Sequence, residues 1–281
     1  MKIQDERQMR FVYARYHVTG LFAKDLPSSF PKILHELQTA KHDDGKYIWT
    51  MGDIGEQKID GAKLIYGRLG KTAREVVETR YDDSAHSFRR EHIQSRKAAY
   101  SNFFIDPTHA IIALEDKPLL PRGKFLKKFK QFWEEEQITE IDFDFLKNEL
   151  EIFEIIKRWD KITEAKFDLS PTNPHPREDF TPLDNIIKKA KARRARLKFE
   201  GGRDGLAKDD SIVQQGTSMS AAGYGEFGLK GIEKGSKKVL SSRSLLISNE
   251  MVKVDDLESL TPEVLSEIRK ILKQINDGKT Q

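Results

Sequence analysis

The residues best placed to do chemistry are charged. Asp142 or Asp144, followed by Glu164 and Lys166 in a Glu-x-Lys triplet, has the outline of a metal-dependent nuclease, in which carboxylates hold magnesium and a lysine assists the attacking water. So short a triplet also arises wherever charged and apolar residues alternate on a half-exposed strand, and that simpler origin carries more weight. A second chemistry is polyanion binding. Residues 181–200, TPLDNIIKKAKARRARLKFE, place seven cations among their last thirteen positions: Lys188, Lys189, Lys191, Arg193, Arg194, Arg196 and Lys198. Thr181 suits a helix cap, Pro182 the first helical position and Asp184 the acid of a capping box. On a 3.6-residue repeat Leu183, Ile186, Ile187, Ala190 and Leu197 gather on one side, so the spacing predicts one helix, apolar beneath and cationic above. Phosphates neutralised along such a row release counterions and give affinity without sequence preference. This requires the cations to face solvent rather than the chain's own carboxylates.

Other groupings are weaker. Lys127 and Lys128, with Lys124 and Lys130, are interleaved with Phe125, Phe129, Phe132 and Trp133; charge beside rings suits stacking on bases, although the aromatic spacing is that of a buried helix face. His86 and His92 lie near Arg89, Arg90 and Arg96 as a phosphate-facing loop would, and their spacing is not the i, i+4 of a two-imidazole metal site. Gly223, Gly225 and Gly228 spell GxGxxG but lack the preceding strand and following helix that a dinucleotide needs. Cysteine is absent, which removes disulfides, thiolate nucleophiles and cysteine-based zinc sites. No cofactor, resident metal or catalytic residue is expected.

These residues need elements to hold them. With 281 residues, 37% of them hydrophobic, the chain can bury a real core, and it has no apolar run of the roughly 18 residues that a membrane span requires. Without an apolar leader either, a cytoplasmic location is expected. Its 49 basic and 45 acidic residues are unevenly spread, acidic between Glu134 and Glu154 and basic over 188–198. Strand character appears at 10–18, 46–51, 62–69 and 75–81, a helix at 30–38, and a hairpin at 101–105 and 109–115 around Asp106 and Pro107. Helices are expected at 124–136 and 143–159, then a strand at 161–169. A proline-rich connector, 171–180, separates this sheet domain (1–170) from a C-terminal part (181–281) made of the basic helix, a glycine-rich hairpin and a terminal amphipathic helix. The fold class is α+β, an antiparallel sheet covered by helices.

The strand running into Asn173-Pro174, the Lys-rich segment, and GYGEFGLKG at 223–231 with a serine-containing strand after it resemble the phage-exclusion protein RexA and related uncharacterised bacterial proteins. That resemblance covers roughly residues 161–247 and supplies no catalytic residue. It implies a cytoplasmic, DNA-binding homodimer in phage exclusion, working beside a membrane-associated effector. Taken with the cationic segment, the expected function is binding of DNA, or of RNA, without strong sequence preference. The competing expectations are the nuclease and an effector that engages an acidic protein partner.

Overall fold

The computed structural model describes residues 9–19, 26–59, 61–73, 76–82, 84, 86–93, 98–136, 139–172, 177–209, 211–251 and 262–276. Arg96 and the Asn173-Pro174 loop lie outside them. Along the chain run β1 (Met9–Thr19), α1 (Leu26–Leu37), β2 (Lys41–Asp43), β3 (Tyr47–Ile59), β4 (Ala62–Ala73), β5 (Val76–Asp82), β6 (Ser87–Ile93), β7 (Ala98–Asp106), β8 (Ile111–Glu115), α2 (Arg122–Glu136) and β9 (Glu140–Phe145). There follow α3 (Glu149–Arg158), β10 (Lys161–Leu169), α4 (Thr181–Lys189), β11 (Ala195–Glu200), α5 (Ile212–Ala221), β12 (Gly225–Glu233), β13 (Ser236–Ser241), β14 (Ser248–Met251) and α6 (Pro262–Asn276). The fold is α+β, as its alternating patterns predict, and among the described residues every strand pairing is antiparallel.

Strand β1 organises the first sheet, whose order is β14-β1-β8-β7-β4-β3-β2. One edge of β1 pairs with β8, while the other takes β14 opposite residues 9–12 and then β9 opposite residues 14–19. Apolar residues bury both faces of this sheet. Val12, Ala14 and Tyr16 pack with α1 and α2 through Phe30, Leu34, Phe129 and Trp133, while Phe11 and Tyr13 pack with α6 through Leu265, Ile268 and Leu272. The terminal helix therefore spends its apolar stripe on its own chain rather than on a partner.

A second sheet, β11-β10-β12-β13, has its own core. Alternation in EAKFDL sends Ala165, Phe167 and Leu169 inward against α3, α4 and α5 and leaves Lys166 outward, and an irregularity between Ile162 and Glu164 brings Ile162 onto the same inward face. Because β10 belongs here, and β14 with α6 returns to the first sheet, the expected division at residues 171–180 gives way to a crossing at two adjacent points. Leu146 N–H donates to Tyr13 in the first sheet, Lys147 N–H to Ala221 and Asn148 N–H to Leu245 in the second, and Ile247 N–H donates back to Leu146.

Two expected helices are also redrawn. Residues 143–159 divide into β9 and α3, because Asp142-Phe143-Asp144-Phe145 alternates with period two and pairs with β1. Asn148 then starts α3 by accepting from Glu151 N–H, and Leu150 in its first turn is exposed. The single helix over 181–200 divides into α4 and β11. Lys191 adopts φ +51°, and its N–H donates to Lys188 while that of Ala192 donates to Ile187, a Schellman closure. Beyond it ARLKFE alternates and pairs with β10, so Leu197 lines a strand and Ile186 of α4 is exposed. Like charges one turn apart disfavour continuing the helix through this stretch.

If α6 completes the first core, Leu272→Ala should lower the unfolding free energy by about 2–5 kcal/mol. Urea titration reads this directly; a midpoint equal to wild type would show α6 to be dispensable.

Candidate nucleic-acid interface

The seven expected cations divide by direction. Lys188 turns inward: its Nζ lies 2.6 Å from Asp184, which is 1% exposed, and donates to Thr172 Oγ1 at 2.8 Å. Thr172 in turn gives Asp184 both its N–H, at 2.8 Å, and its hydroxyl, at 2.5 Å. Arg193 pairs with Glu140 and Asp142 of β9, and Arg194 with Asp168 and, at 3.6 Å, with buried Asp144. These contacts raise the ordinary value of Arg193, chiefly through its hydrogen bond to Asp142. For Lys188 and Arg194, held by the buried Asp184 and Asp144, the condition set by the sequence is thus not met, because the acidic and basic blocks of the chain meet each other; Arg193, engaged by Glu140 and Asp142, still keeps 56% of its side chain exposed. Lys189 and Lys191 form no ion pair among the described residues.

Arg196 and Lys198 behave differently because β11 is an edge strand. Its alternation points Leu197 and Phe199 at the second core and the two cations at the sheet's uncovered face. Arg196 is 85% exposed and shares Asp168, while Lys198 reaches Glu200 and, at 3.8 Å, Glu164. Register sets Lys198 opposite Lys166, and Lys166 opposite Gly228. At Gly228 nothing stands within 4 Å of where a Cβ would be, so the sheet face has a bare floor flanked by Lys166. The resulting groove, about 400 Å³, is bordered by Lys166, Arg196, Lys198, Asp168 and Glu226.

The other candidates separate. Asp142 and Asp144 lie on β9, where Asp142 is occupied by Lys130 and Arg193, whereas Glu164 and Lys166 lie on the outer face of the second sheet beside Lys230. No cluster of three or more potential metal ligands occurs among the described residues. Lys127 is exposed; Lys128 is buried, 3.7 Å from Asp44, and lies over the Trp49 ring. The segment with His86, Arg89 and Arg90 is a hairpin, β5–β6, forming a sheet of its own. On it Tyr81 stands across from Phe88 with ring centroids 5.1 Å apart, and Phe88 is 75% exposed. Gly225, at φ +133°, lies against the backbone of Asp168, and Gly225 and Gly228 sit within strand β12, so no helix follows GxGxxG.

A family model described as a domain of unknown function, DUF4747, matches residues 24–270. The chain belongs to this family. No curated protein matches it. No described helix of this DUF4747 member is long and apolar enough to cross a membrane.

Sequence reasoning missed the charges buried between the two sheets. The register of β1 with β9 sets Arg15 opposite Asp144 and His17 opposite Asp142 on the face away from α2. Arg15 donates to the carbonyls of Ala222, at 2.8 Å, and His109, at 2.6 Å, and lies over the Tyr224 ring. His17 Nε2 is 2.8 Å from the Gly223 carbonyl oxygen and 3.5 Å from Asp144. Burial lowers His17 and raises Asp144. Lys147, 3% exposed, donates to the carbonyls of Ser220 at 2.8 Å and Gly225 at 2.6 Å. The available signal was Arg15 and His17 interrupting an otherwise apolar strand.

Burial pushes Lys147 from its ordinary 10.5 down to about 8, against the pull of Asp144. Between those values the unfolded chain holds a proton that the folded one sheds, so this residue makes stability rise with pH across that window. Lys147→Met should flatten the rise in urea midpoint from about pH 8 to 10 relative to wild type; an identical pH profile in the two proteins would contradict the assignment.

Proposed function

We propose that the protein binds DNA through its phosphates, without sequence preference, on the outer face of the second sheet. The sorting of cations carries this reading. Lys188 and Arg194 are fixed to buried acids, whereas Lys166, Arg196 and Lys198 are each more than half exposed around one groove. Exposed pairs of the latter kind are worth about 0–1 kcal/mol, so exchanging a carboxylate for a phosphate costs little, and counterion release supplies the affinity.

The β5–β6 hairpin supports the same reading. Exposed Phe88 and Tyr81, with Arg89 and Arg90 also at the surface, join ring faces to positive charge as single-strand binding surfaces do, which makes unpaired DNA or RNA a natural substrate. The resemblance to RexA supports placing this binding in phage exclusion, with a homodimer and a membrane-associated effector as its setting. An acidic protein partner would use the same cations, and the nucleic-acid assay separates it by giving no complex.

Arg196→Gln with Lys198→Gln should weaken retention of duplex DNA and make the dependence of log K on log salt shallower by about two. Arg194→Gln should instead lower the urea midpoint and leave that slope in place. Should the outer pair leave affinity and slope untouched, the groove is not the binding face.

A further inference from the structure

A second collection of cations lies on the first sheet, where β3, β4 and α2 meet. Lys71 Nζ is 4.6 Å from the centroid of the Tyr47 ring and 5.7 Å from that of Trp49. Lys124 Nζ is 5.6 Å and 5.2 Å from the same two rings, Lys46 Nζ is 5.3 Å from Tyr47, and Lys128 Nζ is 5.2 Å from Trp49. The ring centroids themselves are only 6.5 Å apart. Local structure accounts for the convergence. Lys71 stands directly opposite Trp49 across the β3–β4 pair, and Lys124 and Lys128, four residues apart, share a face of α2.

Acids do not balance this corner. Asp44 lies 3.7 Å from Lys128, but its oxygens already accept the indole N–H of Trp49 at 2.7 Å and the backbone N–H groups of Tyr47 at 2.8 Å and Lys46 at 3.3 Å. Neighbouring Asp43 accepts the N–H of Gly45 in the β2–β3 turn. Among the described residues Lys46, Lys71 and Lys124 form no ion pair. Lys46 and Lys124 are exposed and Lys71 is half-buried, so the open side of the cluster faces solvent. Each cation–π contact at an exposed site returns only about 0.5–1 kcal/mol, while like charges this close repel.

We propose that this corner is an oligophosphate-binding site, its ligand a chain of linked phosphates, either free or carried by a nucleotide. With the buried Lys128 beside Asp44, the three ammonium groups of Lys46, Lys71 and Lys124 still present more positive charge than a single phosphate dianion neutralises, which selects a chain over a lone phosphate. Lysines act as point charges on flexible stems, and the two rings hold those stems together without fixing the angle of approach. The site shares no residue with the groove on the second sheet and does not depend on DNA binding there.

The probe is inorganic tripolyphosphate, titrated calorimetrically into the full chain at low ionic strength. Saturable binding is expected, weakened about tenfold or more in Lys71→Gln with Lys124→Gln, and unchanged in Lys127→Gln, which removes an exposed lysine of α2 outside the cluster. Lys71→Arg with Lys124→Arg keeps the charge and should bind as wild type. Arg196→Gln with Lys198→Gln should keep tripolyphosphate binding even where DNA retention falls, so each reading can fail alone. Adenosine triphosphate binding more tightly than tripolyphosphate would name a nucleotide as the source; equal affinity would name the phosphate chain. No saturable binding by the intact protein, equal loss in Lys127→Gln, or loss in the arginine variant would overturn the proposal.

Discussion

The two sheets meet over charges buried away from water, and these set how the sheets are placed. Arg15, Asp144 and Lys147 are each almost fully buried between them, and the two cations donate largely to backbone carbonyls at the α5–β12 turn: Ala222 for Arg15, and Ser220 and Gly225 for Lys147. Carbonyls offer direction without a full neutralising charge, so burial still dominates and Lys147 falls to about 8. Breaking one partner of such a set typically costs far more than the set contributes relative to an apolar junction. The arrangement therefore fixes how the sheets are juxtaposed more than it stabilises them. The turn is shaped to match: Gly223 is at φ +80° and packs against Arg15 Cβ and the backbone of Asp144.

That junction also explains the uneven charge along the chain. Residues of the acidic block, Glu140, Asp142 and Asp144, receive Arg193 and Arg194 of the basic block. A run of cations in a sequence invites a polyanion, yet here part of the run is consumed by the fold itself. What remains for solvent is set by strand alternation: within ARLKFE every second side chain belongs to the core and the others to the open face. The inward and outward cations thus come from one uninterrupted stretch and differ by which element holds them.

Much of the first sheet was legible because period-two patterns and turn residues agree there; β1, β4 and the β7–β8 hairpin lie close to where alternation puts them. The stripe of α6 was equally plain, and its packing on Phe11 and Phe104 follows from its strength. Legibility failed where two periods overlap. Leu183, Ile187 and Leu197 fit a helical stripe, but Ala195, Leu197 and Phe199 also fit a strand, and pairing with β10 decides between them. Phe143 to Phe145 was absorbed into a helix because its alternation is short, and pairing with β1 makes it a strand. The proline-rich segment looked like a boundary although it lies inside the β10–α4 connection of the second sheet. Of the cations, Arg196 and Lys198 could be found from sequence; the cluster at Tyr47 and Trp49 could not, since register and helix packing assemble it from residues 46–128.

The placement of β14 has a bearing on synthesis. Met9 pairs with Met251, so β1 waits for one of its neighbours until residues 248–251 have been made, whereas among the described residues the second sheet draws its strands from residues 161–241. Contacts that close long loops form late and leave their edges open meanwhile. On the ribosome, then, the nascent first sheet carries an unfilled slot beside β1 until residues 248–251 emerge, and these follow directly on the second sheet, which is tied to the first at residues 146–148.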